Sequence, residues 1–342
     1  MNDSEKPGSV LVFPKFIRGT FNDTLASGQA VHAKTELELS VRCPDGATCN
    51  AGDRVRMRAH WVCPGCTTTS FDLETTVNGS LYFNPEGVTV IGGVITAQVF
   101  PNNATTTIPQ PLCERGYLIV WVVDGSGKAI RFDGLVGDAV IRDAPLGPSI
   151  GGAQLFSART YNAIPIQASD NLRVGDLTDL DGDGALDFGQ TDFGYEYLPV
   201  TGRIFGTLRY ESAAGPQAET HLTLLTLDVA ANRPNPATNV GLNFYTTGEA
   251  LVDTATSFTC WTEKRLTEIQ PGLTEVNMGR KGLVESTYAE QHPDFFTTVP
   301  VTLLGVVESK EFFGTIPGQN QLRDYAYSLY NDGNPVNTAF KP

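Results

Sequence analysis

The chain has 342 residues, of which 41% are hydrophobic, so it is long enough for about two domains with buried cores. Lys and Arg total 24 against 38 Asp and Glu, which gives a net charge of −14. This charge repels phosphate backbones and anionic lipid surfaces, which argues against nucleic acid as a partner. No apolar run approaches the ~20 residues that a membrane-spanning helix needs, so we expect no membrane span.

The first element is an apolar stretch, "SVLVFPKFI", that follows a polar start. Its composition predicts a strand, which can complete its own sheet or pair with an exposed edge of the next subunit. Residues 1–17 are therefore an N-terminal strand and a candidate donor strand. Strand donation of that kind propagates from subunit to subunit and builds filaments.

Alternation of apolar and polar residues recurs along the rest of the chain, for example at residues 35–41, 54–62 and 220–229. This period of two predicts strands with one buried face. Residues 116–124, "GYLIVWVVD", are apolar on both faces, which predicts a central strand covered on both sides. The best helical candidate, residues 282–291, is short. The chain is therefore expected to be all-β.

The order of strands and turns in residues 18–143 is repeated in residues 201–342, although common β patterning could produce the same likeness. We predict two tandem antiparallel β-sandwich domains of an immunoglobulin-like or jelly-roll-like type. Residues 144–200 resemble neither half and form a connecting segment with an inserted acidic loop.

Six cysteines lie beside strand-like segments, and their even number favours disulfides and an oxidising compartment. The alternative is a zinc site made by the first four, because "CPGC" has the spacing of a zinc knuckle. The start of the chain shows no basic segment followed by a long apolar one, so it fits either a cytosolic protein or a mature exported form. The cysteines favour export. They are Cys43, Cys49, Cys63, Cys66, Cys113 and Cys260.

The connecting segment contains "DLTDLDGDGALDFG", residues 176–189, with aspartates at alternate positions. Calcium needs about six to eight oxygen ligands, and alternate carboxylates around a sharp turn at a glycine such as Gly184 can supply them. In the order of an EF-hand loop, the predicted calcium ligands are Asp179, Asp181, Asp183, Ala185, Asp187 and Gln190.

The last of these positions departs from the pattern, because Gln190 stands where an EF-hand has a bidentate glutamate. Asp192 or a ligand from elsewhere in the chain could replace it. The alternative is a solvated polar turn without an ion, in which the repulsion among the carboxylates is not offset by a cation. We expect a structural calcium ion that holds the segment between the two domains, and magnesium fits less well.

No arrangement typical of a catalytic site stands out. The four histidines are scattered and form no zinc-enzyme motif, and the serine-hydrolase elbow is missing. A glycoside hydrolase would need two carboxylates that face each other. Glu263, Glu285 and Glu290 are candidates, but nothing beyond their charge supports them. The histidines are His32, His60, His221 and His292.

Aromatic residues offer a second hypothesis, since exposed rings can stack on sugars. Tyr325 and Tyr327 share one face of the predicted strand in "YAYSLYND", and Tyr330 follows them; core packing or an interface is the alternative. The tryptophans lie in strand-like contexts and are expected in the core. They are Trp61, Trp121 and Trp261.

The strings "GSVLVFPKF", "YNAIPIQA", "TGRIFGTLRY", "LTLLTLDVAANRPNP" and "FTCWTE" resemble a group of exported bacterial β-proteins that has no assigned activity. The resemblance covers nearly the full chain and implies secretion and β structure. Separately, residues 179–190 are similar to the calcium loops of dockerins, thrombospondin type-3 repeats and FG-GAP propeller blades. Those families repeat the motif, whereas this chain carries it once.

The sequence as a whole favours a non-catalytic structural protein, extracellular or on the cell surface, that self-associates and is stabilised by calcium. A secreted carbohydrate- or surface-binding module is the first alternative, with a glycan or a cell surface as partner. A secreted hydrolase with unidentified carboxylates is the second.

Overall fold

The chain folds almost entirely into antiparallel strands, which confirms the all-β prediction. Among the described residues no helix is both long and apolar enough to cross a membrane. The computed structural model describes residues 5–22, 30–86, 94–100, 104–146, 156–188, 190–191, 194–200, 203–212, 217–227, 237–248, 250–292, 299–312 and 322–329.

The N-terminal half forms one eleven-stranded sheet, in which the main path runs β4-β3-β8-β1-β2-β5-β6-β7. Off this path β9 pairs with β2 and β10, and β11 pairs with β1. A short 3-10 turn, Pro64–Cys66, follows β3. The strands are β1 (Val10–Asn22), β2 (Ala30–Val41), β3 (Arg54–Val62), β4 (Thr68–Thr76), β5 (Ser80–Phe83), β6 (Val94–Phe100), β7 (Ala104–Pro109), β8 (Arg115–Val123), β9 (Leu135–Pro145), β10 (Ser157–Asn162) and β11 (Ile164–Ile166).

The rest of the chain forms a hairpin, β12-β13, and two larger sheets that enclose an apolar core. One sheet runs β14-β19-β16-β17 with β20 beside β19, and the other runs β18-β15-β21-β22. The elements are β12 (Gln190–Thr191), β13 (Gly194–Tyr195), β14 (Phe205–Arg209), β15 (Gln217–Thr226), β16 (Thr238–Thr246), β17 (Leu251–Phe258), β18 (Trp261–Arg265), α1 (Leu266–Ile269), α2 (Glu275–Met278), β19 (Lys281–Gln291), β20 (Val299–Pro300), β21 (Leu303–Phe312) and β22 (Leu322–Leu329).

Most of the predicted strands lie where the sequence indicates. Residues 54–62 are β3, and residues 116–124 largely coincide with β8, which is buried after its first residue and lies between β3 and β1. The helical candidate at residues 282–291 is wrong, because this segment is β19. It pairs with β16, and alternate residues such as Val284 and Ser286 are buried.

The N-terminal strand β1 lies inside its own sheet. Its residues Val10, Leu11 and Val12 pair with β8 on one side and with β11 on the other, and all three are fully buried. Both edges of this part of the strand are therefore occupied within the chain. In this arrangement β1 completes its own sheet, the first of the two roles open to it.

All six cysteines are joined in disulfides, Cys43–Cys49, Cys63–Cys113 and Cys66–Cys260. The zinc alternative is therefore wrong, because zinc binds thiolates and these sulfurs are bonded to one another. The Cys66–Cys260 bond joins residues 194 positions apart and ties the N-terminal half to the second half.

A buried network of ion pairs crosses between the same two halves. Lys15 on β1 contacts Glu308 and lies 2.6 Å from Glu263 Oε1. Arg159 on β10 donates to Glu308 at 2.9 Å and to Asp143 at 2.8 Å. These five side chains are each 5% exposed or less. Burial disfavours the carboxylates, but the neighbouring cations outweigh it and hold the pKa values of Asp143, Glu263 and Glu308 below their usual range.

His221 on β15 extends this network, since its Nδ1 lies 3.2 Å from Glu263 Oε1 and its Nε2 contacts Glu219. Burial disfavours the imidazolium, but the two carboxylates outweigh burial and raise the pKa of His221 to about 9. The charged imidazole is therefore part of the folded state at neutral pH.

The first prediction concerns Lys15. We expect Lys15→Met to lower the free energy of unfolding by about 3–5 kcal/mol, because Glu263 and Glu308 lose the cation between them. Urea denaturation measures the change. The control is Arg54→Met, which removes an exposed ion pair with Glu74 and should cost less than about 1 kcal/mol. Equal losses in the two variants would contradict a special role for Lys15.

The second prediction is a pH dependence carried by His221. Its pKa is raised from 6.5 to about 9, so its stabilisation is complete below pH 6.5 and is lost as the pH rises through 9. We expect the free energy of unfolding to fall over this window, and to fall less in His221→Gln. His60→Gln is the control, because burial and Arg58 lower the pKa of His60 to about 4 and leave it neutral throughout. A slope that His221→Gln leaves unaltered would count against the assignment.

Candidate functional site

The acidic loop lies between β11 and β12 and is anchored by its apolar neighbours. Leu186 and Phe188 are buried, and the ring of Phe188 stacks on Tyr197 with centroids 5.3 Å apart. The hydroxyl groups of Thr178 and Tyr197 are 2.9 Å apart. Both ends of the acidic stretch are thus fixed to the apolar core beneath it.

The backbone of the loop closes around Asp179, the first predicted ligand. Asp179 accepts hydrogen bonds from the N–H groups of Gly182 at 2.7 Å and Gly184 at 3.2 Å. Both glycines have φ near +80°, a left-handed conformation that side chains disfavour. The alternation of Asp and Gly therefore produces a tight turn with its carboxylates gathered on one side.

The structure brings the four predicted aspartates together in two overlapping groups. Oxygens of Asp179, Asp181 and Asp183 lie within 4.8 Å of one another, and so do oxygens of Asp181, Asp187 and Glu196. Asp181 belongs to both groups. Each group thus offers three carboxylates, the hard oxygen ligands that calcium prefers.

The two other predicted ligands have different outcomes. Ala185 is buried in the turn, and its N–H donates to Asp183 Oδ1 at 2.8 Å. Gln190 begins β12, but its side chain, like the whole of Asp192, lies outside the described residues. Their part in the site stays a prediction.

Glu196 is the carboxylate that the sequence reasoning missed. It follows β13, is fully buried, and accepts hydrogen bonds from the N–H groups of Leu180 at 2.7 Å and Asp187 at 3.1 Å. Burial raises its pKa to about 7; the two N–H groups oppose this shift, and Asp187 and Asp181 add to it. Only the β12-β13 hairpin brings this residue back to the loop, so spacing along the chain could not reveal it.

The histidines have separate surroundings in the structure. The ring of His60 stacks on Trp121 with centroids 4.7 Å apart, and His221 lies in the buried ion-pair network. His32 contacts Glu86 at 2.7 Å, and His292 contacts Glu290 at 3.3 Å. Within the described part of the chain, the carboxylate clusters able to hold a metal include no histidine.

The three nominated glutamates are divided between two sheets. Glu263 on β18 belongs to the buried network, whereas Glu285 and Glu290 lie on β19. Neighbouring cations and His221 hold the pKa of Glu263 well below its usual range despite burial, which is the wrong direction for a general acid. The hydrolase hypothesis therefore gains no support from these residues.

The aromatic residues divide between core and surface. Trp61, Trp121 and Trp261 are buried, as expected. Tyr325 is 38% exposed on β22, while the side chain of Tyr327 and all of Tyr330 lie outside the described residues.

A groove of about 610 Å³ lies on the outer face of the sheet formed by β14, β19, β16 and β17. Leu251 and Asp253 of β17 line one side, Asn243 of β16 lies in the middle, and Thr287 and Tyr288 of β19 line the other side. The opposite face of this sheet packs into the apolar core, so the groove faces away from the buried interior.

Comparisons with known proteins give no family. No family model matches the chain, and no curated protein matches it. Among solved structures, the viral chemokine binding protein R17 encoded by rodent gammaherpesvirus Peru aligns over 92% of this chain and 88% of its own, at 10% identity. The TM-score of 0.12 is too low for this alignment to support any inference about fold or function.

Proposed function

We propose that the protein is a non-catalytic structural protein, extracellular or on the cell surface. The observation that carries this proposal is that two kinds of bond connect its halves. They are the Cys66–Cys260 disulfide and the buried ion pairs of Lys15 and Arg159. Disulfides persist in oxidising compartments, which supports export. The resemblance of its sequence to exported bacterial β-proteins points the same way.

We propose that calcium stabilises this fold at the acidic loop. Asp179, Asp181, Asp183, Asp187 and Glu196 would hold the ion, and Glu196 would supply the carboxylate that Gln190 does not. A divalent cation would offset the repulsion among these acids. The loop is packed on the core between the two halves, so the ion would act as a structural cation there.

We also propose self-association by strand addition. The N-terminal strand is paired within its own chain, so the edge strand β17 is the better candidate for the contact. Among the described strands it pairs with β16 alone, and its eight residues include a single charge, Asp253, together with the exposed Leu251. A long edge with little charge is open to pairing with another chain.

A second candidate function is carbohydrate or surface binding. The groove between β17 and β19 favours it, because it combines the exposed ring of Tyr288 with the polar side chains of Asn243 and Asp253. Small-molecule sites typically combine aromatic and convergent polar groups in this way.

The third prediction tests the calcium site. After EDTA treatment, added calcium should raise the melting temperature, because binding to the folded state at one hundred times Kd stabilises it by about 2.7 kcal/mol. Asp181→Asn, which alters the carboxylate common to both groups, should lose most of this response. The exposed neighbour Asp170→Asn is the control and should keep it. A midpoint that calcium leaves unchanged in the unsubstituted protein would refute the site.

The fourth prediction tests self-association. Light scattering after size-exclusion chromatography should give a mass above 36.8 kDa that grows with concentration. Leu251→Lys should reduce this growth because it places a charge on the edge of β17. Thr105→Lys, on the edge strand β7 of the N-terminal sheet, is the matched control. A strictly monomeric protein at high concentration, with no fibres in negative-stain images, would contradict the proposal.

A further inference from the structure

The groove on the outer sheet face contains an aromatic ring fixed by the backbone. The register of β16 and β19 shifts between Gly241 and Leu242, and this irregularity places Tyr288 opposite Gly241. A Cβ atom on Gly241 would lie 2.4 Å from Tyr288 Cε1, so only glycine leaves room for the ring. Tyr288 nevertheless remains 43% exposed. The result is a ring held against the sheet with surface left for a ligand.

Polar groups beside this ring are set in a fixed arrangement. Asn243 lies directly across from Asp253 on β17 and from Glu285 on β19. Its Nδ2 donates to Glu285 Oε1 at 3.2 Å, and the hydroxyl of Tyr245 donates to the same oxygen at 2.5 Å. These bonds hold the Asn243 amide in place. The exposed carboxylate of Asp253 makes no hydrogen bond to a described residue, so it can accept bonds from a ligand.

The charge of the groove selects among ligand classes. Asp253 lines it and Glu285 lies beside it, and none of the described residues that line it is basic. A sulfated or acidic glycan would therefore be repelled. A cation would need only acceptors, whereas this site also presents the hydroxyl of Thr287, which can donate; the Asn243 amide nitrogen is already bonded to Glu285 and Tyr245, so this side chain offers its oxygen. Sugar hydroxyls both donate and accept hydrogen bonds, so they can bond to the donors and to the acceptors of the groove.

We propose that this groove binds a neutral oligosaccharide. The apolar face of one sugar ring stacks on Tyr288, Asp253 accepts a hydroxyl hydrogen bond, and Asn243 fixes the orientation of the next hydroxyl. This inference rests on the second candidate function and gives it a site and a ligand class. The other exposed tyrosine considered for stacking, Tyr325, lies on β22 of the other sheet.

The experiment is an array of neutral and acidic glycans with polylysine as a cationic probe, followed by calorimetric titration of a bound neutral oligosaccharide. Tyr288→Ala should weaken that binding about tenfold, since it removes the stacking surface. Tyr325→Ala is the matched control and should bind like the unsubstituted protein. The melting temperature of Tyr288→Ala should stay close to that of the unsubstituted protein, which shows that the loss is not unfolding.

The possible outcomes separate the site from the function. Neutral glycan binding that Tyr288→Ala leaves intact, or that Tyr325→Ala abolishes, overturns the groove while keeping glycan binding as a function. Binding of acidic glycans or polylysine alone overturns the ligand class. If nothing on the array binds, both the inference and the second candidate function fall, whereas the calcium and association experiments are unaffected.

Discussion

The buried cation Lys15 is the constraint on which the arrangement of the two halves depends. The pairing of β1 with β8 breaks register around Pro14 and Lys15, and such an irregularity can turn a side chain out of its sheet. Lys15 reaches Glu263 and Glu308 on strands of the second half, and the carbonyl of Pro14 accepts a hydrogen bond from the Trp261 indole at 3.0 Å. Because a buried charge without partners is costly, Lys15 can stay buried only while Glu263 and Glu308 of the second half remain in contact with it.

This constraint also gives the acidic loop its place in the fold. Leu186 and Phe188, at the end of the loop, belong to an apolar cluster that includes Val10 of β1 and Trp261 of β18. The cluster therefore contains residues from both halves and from the segment between them. An ion in the loop would stiffen a segment that is already packed on this shared core, so its effect would extend beyond the turn itself.

Local patterns predicted much of the fold, while contacts between distant residues could not be predicted. Alternation identified β3, and an apolar run identified β8. The predicted helix at residues 282–291 is instead β19, because pairing with β16 overrides the helix preference of its Glu, Ala and Gln residues. The grouping of the loop aspartates could be predicted from their spacing in the sequence. Glu196 comes near them only because the β12-β13 hairpin turns the chain back. The partners of Lys15 lie 248 and 293 residues away in sequence, and no local signal connects them.

The aromatic residues show the same division between local pattern and tertiary structure. The three tryptophans are used for packing, so none of them presents an open ring on the surface. One ring that does remain open, Tyr288, lies there because a one-residue irregularity in β19 places it over Gly241. Residue type alone could not distinguish it from the other tyrosines. A surface for sugar rings in this chain would thus depend on the irregularity in β19 and on Gly241. These two features fix where the aromatic ring lies, which the number of aromatic residues in the sequence does not.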